Sequence, residues 1–164
     1  MKTLKRRRKE NKTDYLKRIK LLKSGTPRVI FRRTNRYVAV QYVTSKQSQD
    51  KIKFRITSKK LIEYGWPEEF KGSLKSIPAS NLLGLLAGKR IIKAKLKTPI
   101  VDSGMFRMIH KNRIYAFLKG LIDSGIEIKC KEETFPSEDK INGKNLKKDF
   151  SKTFLEIKSK VEKL

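Results

Sequence analysis

Cysteine and histidine are almost absent from this chain of 164 residues, which contains one of each, Cys130 and His110. A single cysteine cannot form an intramolecular disulfide, and the two residues are too few for the three or four ligands of a Cys and His zinc site. A Ser-His-Asp triad would have to use His110, which lies in a cationic segment directly before a predicted helix. We therefore expect no disulfide, no metal site, no cofactor and no catalytic residue.

Long apolar runs are also absent. The longest stretch without a charged residue, 76–88, has thirteen residues, whereas a membrane-spanning helix needs about 20. At the N-terminus the sequence MKTLKRRRKEN is not followed by an apolar run, so it does not fit a secretory signal. The sequence therefore predicts a cytoplasmic protein without a membrane partner.

Acidic residues are few, since Asp and Glu total 16 against 42 Lys and Arg, and the formal net charge is +26. A two-metal nuclease needs clustered carboxylates, whereas Asp102, Asp123 and Glu127 are separated by predicted elements. A phosphate-binding loop of the GxxxxGK[ST] type is missing, because residues 84–90 lack its spacing and its Ser or Thr. The basic excess argues against a small-molecule substrate and predicts binding to a polyanion, whose phosphates Lys and Arg neutralise with release of counterions.

The positive charge lies mainly in the first two of three predicted parts of the chain. Net charge is +9 over residues 1–24, +15 over 25–130 and +2 over 131–164. We interpret these parts as a basic arm with a first helix, an α/β core domain that binds the polyanion, and a C-terminal extension that ends in an amphipathic helix. The arm contains the basic run 5–9, whose self-repulsion predicts disorder until a polyanion neutralises it.

The first helix is predicted to start after Thr13 as its N-cap and to stop at Gly25. Tyr15, Ile19 and Leu22 fall on one face, which we expect to pack on the core domain. Cations cover much of the remaining circumference of the helix and would meet solvent or phosphate.

The predicted order of secondary-structure elements in the core domain is β-β-β-α-β-α-β. The predicted elements are strands over 28–34, 37–44 and 51–57, a helix from Ser76, a strand over 99–101, a helix over 111–124 and a strand over 126–129. In each of the two strand-helix-strand units, the two strands are expected to be parallel. We therefore expect an α/β fold with a mixed five-stranded sheet and helices on its faces. Gly84 and Gly88 allow a close backbone approach, which we expect to be against the sheet.

Period-two alternation is clearest in the third strand. Its two predicted faces consist of Ile52, Phe54 and Ile56 on one side and Lys51, Lys53, Arg55 and Thr57 on the other. The pattern indicates one buried face and one basic face, and the charge of the core domain favours phosphate as the partner of the basic face. Among the aromatic residues we assign Phe31 and Phe54 to the core and Tyr37, at the hairpin tip, to stacking on an unpaired base.

A last helix is predicted from about Asn145. It has an apolar stripe made of Leu146, Phe150, Phe154, Ile157, Val161 and Leu164. A stripe of this length must be covered. The sequence leaves open whether the helix folds back on the core domain or docks on a partner.

Several segments are similar to one family of ribosomal proteins. They are TDYLKRIKLLKSG at 13–25 with Pro27-Arg28-Val29 and Arg33-Thr34-Asn35-Arg36, Pro78-Ala79 with NLLGLLAGK at 81–89, AFLKGLIDSG at 116–125, and FPSEDKING at 135–143. The chain thus resembles the archaeal form of the large-subunit ribosomal protein of universal family eighteen, the 5S rRNA binder. The loops at 71–75 and 108–112 depart from the usual family sequences.

The resemblance implies a translational-machinery fold related to ribonuclease H in topology, without a catalytic site and located in the central protuberance of the large subunit. It implies 5S rRNA, large-subunit rRNA and neighbouring large-subunit ribosomal proteins as partners. The positions that match the family imply RNA contacts by Arg6, Arg7, Arg8, Lys12, Tyr15, Arg18, Arg28, Arg32, Arg33, Asn35 and Arg36. The basic run, the hairpin tip and the basic strand face add Lys5, Tyr37, Lys53 and Arg55.

We therefore predict a structural ribosomal constituent that acts in translation and is not an enzyme. One alternative is a general nucleic-acid-binding or chaperone protein, which would not distinguish structured RNA from duplex DNA. Another is a metal-dependent nuclease, which would show magnesium-dependent cleavage, and a third is a polybasic protein at a membrane surface.

Overall fold

The structure, a computed structural model, describes residues 3–146 and 149–164. Its α-helices are α1 (Arg6–Lys9), α2 (Tyr15–Lys23), α3 (Ile77–Lys93), α4 (Arg113–Asp123), α5 (Glu138–Asn142) and α6 (Ser151–Glu162). Its strands are β1 (Arg28–Arg33), β2 (Val38–Lys46), β3 (Gln49–Thr57) and β4 (Ile100–Asp102). Short 3-10 helices span Ser58–Tyr64, Glu68–Ser73 and Glu132–Thr134. None of the helices within this part of the chain has the length and hydrophobicity of a membrane span.

The strands form one mixed sheet in the order β3-β2-β1-β4. β1 and β2, and β2 and β3, pair antiparallel, whereas β4 is parallel to β1. Side chains alternate between the two faces of the sheet. We call the face that carries Val29, Phe31 and Tyr42 the inner face, because its side chains belong to the hydrophobic core with α3 and α4. The opposite, outer face carries Ile30, Gln41 and Arg55, which are cross-strand neighbours.

The fifth strand predicted over 126–129 does not form, and the sheet of the described residues has four strands. The backbone N–H of Ile126 instead donates to the carbonyl of Leu121 and closes the end of α4. Ile126 is buried, Ile128 is half-buried, and the residues between and after them are exposed. The alternation in the sequence therefore reflects one side of an extended segment packing on the core, and this packing needs no backbone ladder.

A β-bulge changes the expected facing of β3. Tyr42 pairs with Phe54 and Val43 pairs with Ile52, so Lys53 is the extra residue of the bulge. An extra residue shifts the side-chain alternation by one position. Ile52 is consequently on the face opposite to Phe54 and 52% exposed, which corrects the expectation that they share a buried face.

Close packing of α3 on α4 is the main helix–helix contact of the fold. α3 begins as predicted, with the Ser76 side chain accepting a hydrogen bond from the Ala79 N–H. A Cβ added to Gly84 would lie 2.2 Å from the carbonyl oxygen of Phe117, and a Cβ added to Gly88 would lie 1.8 Å from Ser124 Oγ. The glycines of α3 thus permit a close approach to α4, not to the sheet as expected.

α6 folds back on the core. Phe150, Phe154, Ile157 and Val161 are buried in the same hydrophobic cluster as α3, and the ring centroids of Phe150 and Trp66 are 4.6 Å apart. The predicted start of this helix near Asn145 precedes residues 147–148, which lie outside the described residues, and α6 begins at Ser151. Of the two possibilities for the apolar stripe, intramolecular packing is the one observed.

Candidate nucleic-acid interface

Residues 3–12 of the basic arm are exposed, and they are linked to the start of α2. Arg7 donates hydrogen bonds to Thr13 Oγ1 at 3.2 and 3.3 Å, and Arg8 pairs with Asp14 at 2.7 Å. These contacts accompany the single helical turn α1 in a segment where the sequence predicts disorder. The arm therefore presents its cations next to α2 and not at a distance from the domain.

The cap and the orientation of α2 differ from the prediction. Asp14, not Thr13, is the N-cap, because its carboxylate accepts hydrogen bonds from the N–H groups of Leu16 and Lys17. Lys17 Nζ donates to Ser103 Oγ at 2.6 Å and to the Gly104 carbonyl, and this bond ties α2 to the loop after β4.

The apolar stripe expected to pack on the core is turned outward over most of its length. Tyr15 is 39% and Ile19 is 50% exposed, whereas Leu22 is half-buried. The polar contacts of Lys17 and Arg18 fix the rotation of the helix, which a pattern of apolar residues alone does not reveal.

Arg28 lies in the interior, and the expected RNA contact does not fit this placement. The residue is 1% exposed, and its guanidinium donates to Asp102 at 3.1 Å, to Asp50 at 2.7 Å and to Ser45 at 2.9 Å. A buried charge is tolerated when it is paired and hydrogen-bonded. Arg28 therefore joins β1 to β4 and to the β2–β3 hairpin.

Asp50 connects this buried group to the surface. Its second carboxylate oxygen accepts from Arg18 on α2 at 3.0 Å. Burial opposes ionisation of Asp50, but the hydrogen bond from Ser45 and the charges of Arg28 and Arg18 outweigh it, so the pKa of Asp50 is lowered. Asp50 thus remains ionised and holds α2 against the sheet hairpin.

A shallow depression opens where α2 meets the end of β4. Its cationic lining consists of Lys12, Lys17, Arg18 and Arg32, and its acidic lining consists of Asp14 and Asp102. Three of the predicted RNA contacts, Lys12, Arg18 and Arg32, are thereby brought together. A concave cationic surface next to an exposed basic arm suits the backbone of a nucleic acid.

The turn between β1 and β2 presents two more predicted residues. Asn35 and Arg36 are exposed, and Thr34 stabilises the turn by donating to the Tyr37 carbonyl at 2.7 Å. Tyr37 itself is half-buried and packs against the core, and Lys59 Nζ lies 5.0 Å from its ring centroid. The ring of Tyr37 is therefore less open to a base than the sequence suggests.

The remaining predicted residues lie apart from the depression. Arg55 is exposed on the outer face, and Lys53 is exposed in the bulge of β3. Lys5 lies 6.0 Å from the Tyr15 ring, and Arg33 lies 5.4 Å from the Phe106 ring. The predicted cations are thus distributed over the arm, α2, the β1–β2 turn and β3.

Sequence reasoning missed the residues that position this surface. Lys17, Asp50 and Asp102 hold α2 and β1 in place by hydrogen bonds between segments far apart in sequence. The one available signal was the isolated acidic residues among many cations. Within residues 3–146 and 149–164, His, Cys, Asp and Glu side chains do not gather in threes in a way that could hold a metal ion.

Comparison with known proteins identifies the class to which this fold and surface belong. The family model described as ribosomal large subunit proteins 60S L5 and 50S L18 matches residues 1–99. The large ribosomal subunit protein uL18 of Korarchaeum cryptofilum is 45% identical over 141 residues, which cover 86% of this chain and 70% of that protein. The uL18 proteins of Caldivirga maquilingensis and Methanoregula boonei are 38% and 39% identical, again over 86% of this chain, and the matches cover 67% and 79% of those proteins.

The chain is therefore a large-subunit ribosomal protein. It belongs to the L5e/L18 family, and its similar relatives are archaeal uL18 proteins. The family resemblance drawn from the sequence is confirmed.

Proposed function

We propose that this protein binds 5S rRNA and helps to attach it to large-subunit rRNA in the central protuberance, as a structural component of cytoplasmic ribosomes without catalytic activity. The observation that carries the proposal is the cationic depression beside the exposed basic arm. Its lining residues from Lys12 to Arg32 lie within the segment that matches the ribosomal family. Large-subunit rRNA and neighbouring ribosomal proteins are the further partners we propose.

The proposed contact set contains the predicted residues whose side chains are exposed or half-buried. It consists of Lys5, Arg6, Arg7, Arg8, Lys12, Tyr15, Arg18, Arg32, Arg33, Asn35, Arg36, Tyr37, Lys53 and Arg55. Arg28 is not in this set, because its guanidinium is buried and paired with two carboxylates. Arginines are the strongest members, since the planar guanidinium pairs with a phosphate through two hydrogen bonds whereas lysine acts as a point charge.

We also propose that the fold is related in topology to ribonuclease H, which the order β3-β2-β1-β4 with β4 parallel to β1 supports. The proposed division into an arm with first helix (1–24), a core (25–130) and an extension (131–164) agrees with the charge distribution. α6 nevertheless packs on α3, so the extension contributes to the stability of the core.

The dependence of 5S rRNA affinity on salt tests the proposed function. If about ten phosphates are neutralised, a plot of log affinity against log salt has a slope of about −7 to −9. Replacing Arg6, Arg7 and Arg8 by Gln removes three exposed cations and should make the slope shallower by about 2 to 3. A wild-type slope shallower than about −3 would contradict a phosphate-binding surface of this size.

A matched control removes the same charge elsewhere. Lys131, Lys152 and Lys163 are exposed and lie in the C-terminal third of the chain, outside the proposed contact set. Their triple replacement by Gln lowers the net charge equally and should leave the slope within about 1 of the wild-type value. Equal losses in the two triple variants would indicate that net charge, not the position of the cations, determines binding.

A further inference from the structure

Arg33 and Arg113 lie next to each other at the edge of the inner face. The ring centroids of Phe31 on β1 and Phe117 on α4 are 5.2 Å apart. Arg33 follows Phe31 by two residues and so projects from the same face of the strand, and Arg113 precedes Phe117 by one helical turn and so lies on the same side of the helix. The Phe106 ring lies beside Phe31 and Arg33, with its centroid 5.8 Å from that of Phe31 and 5.4 Å from the Arg33 guanidinium carbon.

No acidic side chain pairs with either arginine among residues 3–146 and 149–164. Arg113 Nε is buried and has no hydrogen-bond partner within that part of the chain. Burial, and then the positive charge of Arg33, lower the pKa of Arg113. Arg113 is also the first residue of α4, where the helix dipole disfavours a cation. This pair of like charges is therefore destabilising in the free protein.

We propose that Arg33 and Arg113 form a binding site for one phosphate group of the RNA backbone, with Phe106 holding the plane of the Arg33 guanidinium. The inference rests on the proposed function and extends the contact surface to α4, beyond the residues that match the family model. A phosphate supplies the negative charge that the pair lacks and accepts hydrogen bonds from both guanidinium groups. The N–H groups in the first turn of α4 favour an anion at the same place.

A binding site and a structural arginine give opposite results when the charge is removed. If Arg113 served stability, Arg113→Gln would lower the melting temperature of the free protein. If Arg113 serves an absent phosphate, the same change removes the repulsion and the cost of burying its charge. The free protein then melts at the same or a higher temperature while its affinity for RNA falls.

The test is the melting temperature of the full-length protein and its 5S rRNA affinity at fixed salt for Arg113→Gln, Arg33→Gln and the double variant. Each single variant should bind about tenfold more weakly, the scale of one charge-assisted hydrogen bond, without melting at a lower temperature. The double variant should lose much less than the product of the two single losses, because both arginines hold one phosphate. Arg90→Gln is the matched control, since Arg90 also lies over a ring, 5.1 Å from the Phe54 centroid, and should bind within about twofold of wild type.

The outcomes separate this inference from the proposed function. Wild-type affinity with a steep salt slope, together with unchanged affinity of the Arg113→Gln variant, would overturn the phosphate site and leave the proposed function intact. A lower melting temperature of that variant would also overturn the site, because Arg113 would then be structural. If the wild-type protein does not bind 5S rRNA, the proposed function fails. The phosphate site is then tested by the effect of inorganic phosphate on the melting temperature. The site requires that phosphate raise the melting temperature of wild type more than that of Arg113→Gln, with chloride at equal ionic strength as the reference, and equal shifts would refute it.

Discussion

Replacing Gly84 by Ala should strongly destabilise the protein, because the added methyl group meets backbone and not a movable side chain. Its Cβ would lie 2.2 Å from the Phe117 carbonyl oxygen, whereas an ordinary contact begins at 3.4 Å, so α3 and α4 would have to separate locally by about 1.2 Å. Overpacking of a well-packed core costs about 1–3 kcal/mol. Better helix propensity of alanine offsets about 0.5–1 kcal/mol of this. We expect a net loss of about 1–2 kcal/mol in the free energy of unfolding.

The comparison with Gly88 tests this reasoning. A Cβ at Gly88 meets the side chain of Ser124, at 1.8 Å from Oγ and 2.6 Å from Cβ, and its next neighbour is at 3.5 Å. Gly88→Ala should therefore be destabilising alone and partly rescued by Ser124→Gly, whereas Ser124→Gly should not rescue Gly84→Ala. Gly72→Ala is the control, because nothing lies within 4 Å of its Cβ position.

The assay is urea unfolding of the free protein, followed by circular dichroism. A loss of 1–2 kcal/mol corresponds to a fall of about 2–8 °C in melting temperature for a domain of this size. If Gly84→Ala were as stable as Gly72→Ala, the close approach of α3 and α4 would be refuted.

Three further changes probe the interior. Arg28→Ala should lower the free energy of unfolding in urea by about 3–5 kcal/mol, because it leaves Asp102 buried without its cation. A loss below about 1 kcal/mol would contradict the buried ion pair. Because the pKa of Asp50 is lowered in the folded state, its contribution to stability is present above its ordinary value of 3.8 and lost as the pH falls through the folded pKa. Asp50→Asn should accordingly flatten the acid side of a stability–pH curve, and an unchanged curve would speak against the Asp50 contacts. Phe154→Ala should lower the free energy of unfolding by about 3–5 kcal/mol, because the side chain is buried. Leu155→Ala, at a residue 58% exposed, should lower it by less than about 0.5 kcal/mol. Equal losses would contradict the packing of α6 on the core.

The longer helices α2, α3, α4 and α6 were predictable because their signals are local, whereas the short helices α1 and α5 were not predicted. Ser76 caps the start of α3, and Gly25 follows the C-cap of α2 with a φ of +62°. The apolar spacing at Ile114, Phe117 and Leu121 places these residues in the core. Local spacing is also what allowed the three hairpin strands to be predicted within two residues of their ends. The apolar stripe of the last helix was predicted as well, but its partner depends on the tertiary fold.

The structure differs from the sequence-based predictions where the outcome depends on contacts between segments that are far apart in sequence. The bulge at Lys53 depends on how β3 pairs with β2, and the burial of Arg28 depends on carboxylates 22 and 74 residues away in sequence. The segment 126–129 has the alternation of a strand but no neighbour to pair with. Long-range contacts also limit what the sequence can predict about the interface. Charge density predicted a polyanion partner, whereas the proximity of Arg33 to Arg113 is visible only in the folded structure.

Competition for binding tests the central claim most directly. The full-length protein would be bound to labelled 5S rRNA at about 150 mM monovalent salt, where screening weakens loose electrostatic contacts, and challenged with tRNA and with duplex DNA of similar charge. The account predicts a preference for 5S rRNA of about a hundredfold or more, equivalent to about 2.7 kcal/mol. Equal displacement by all three nucleic acids would contradict it and would identify the protein as a general polycation.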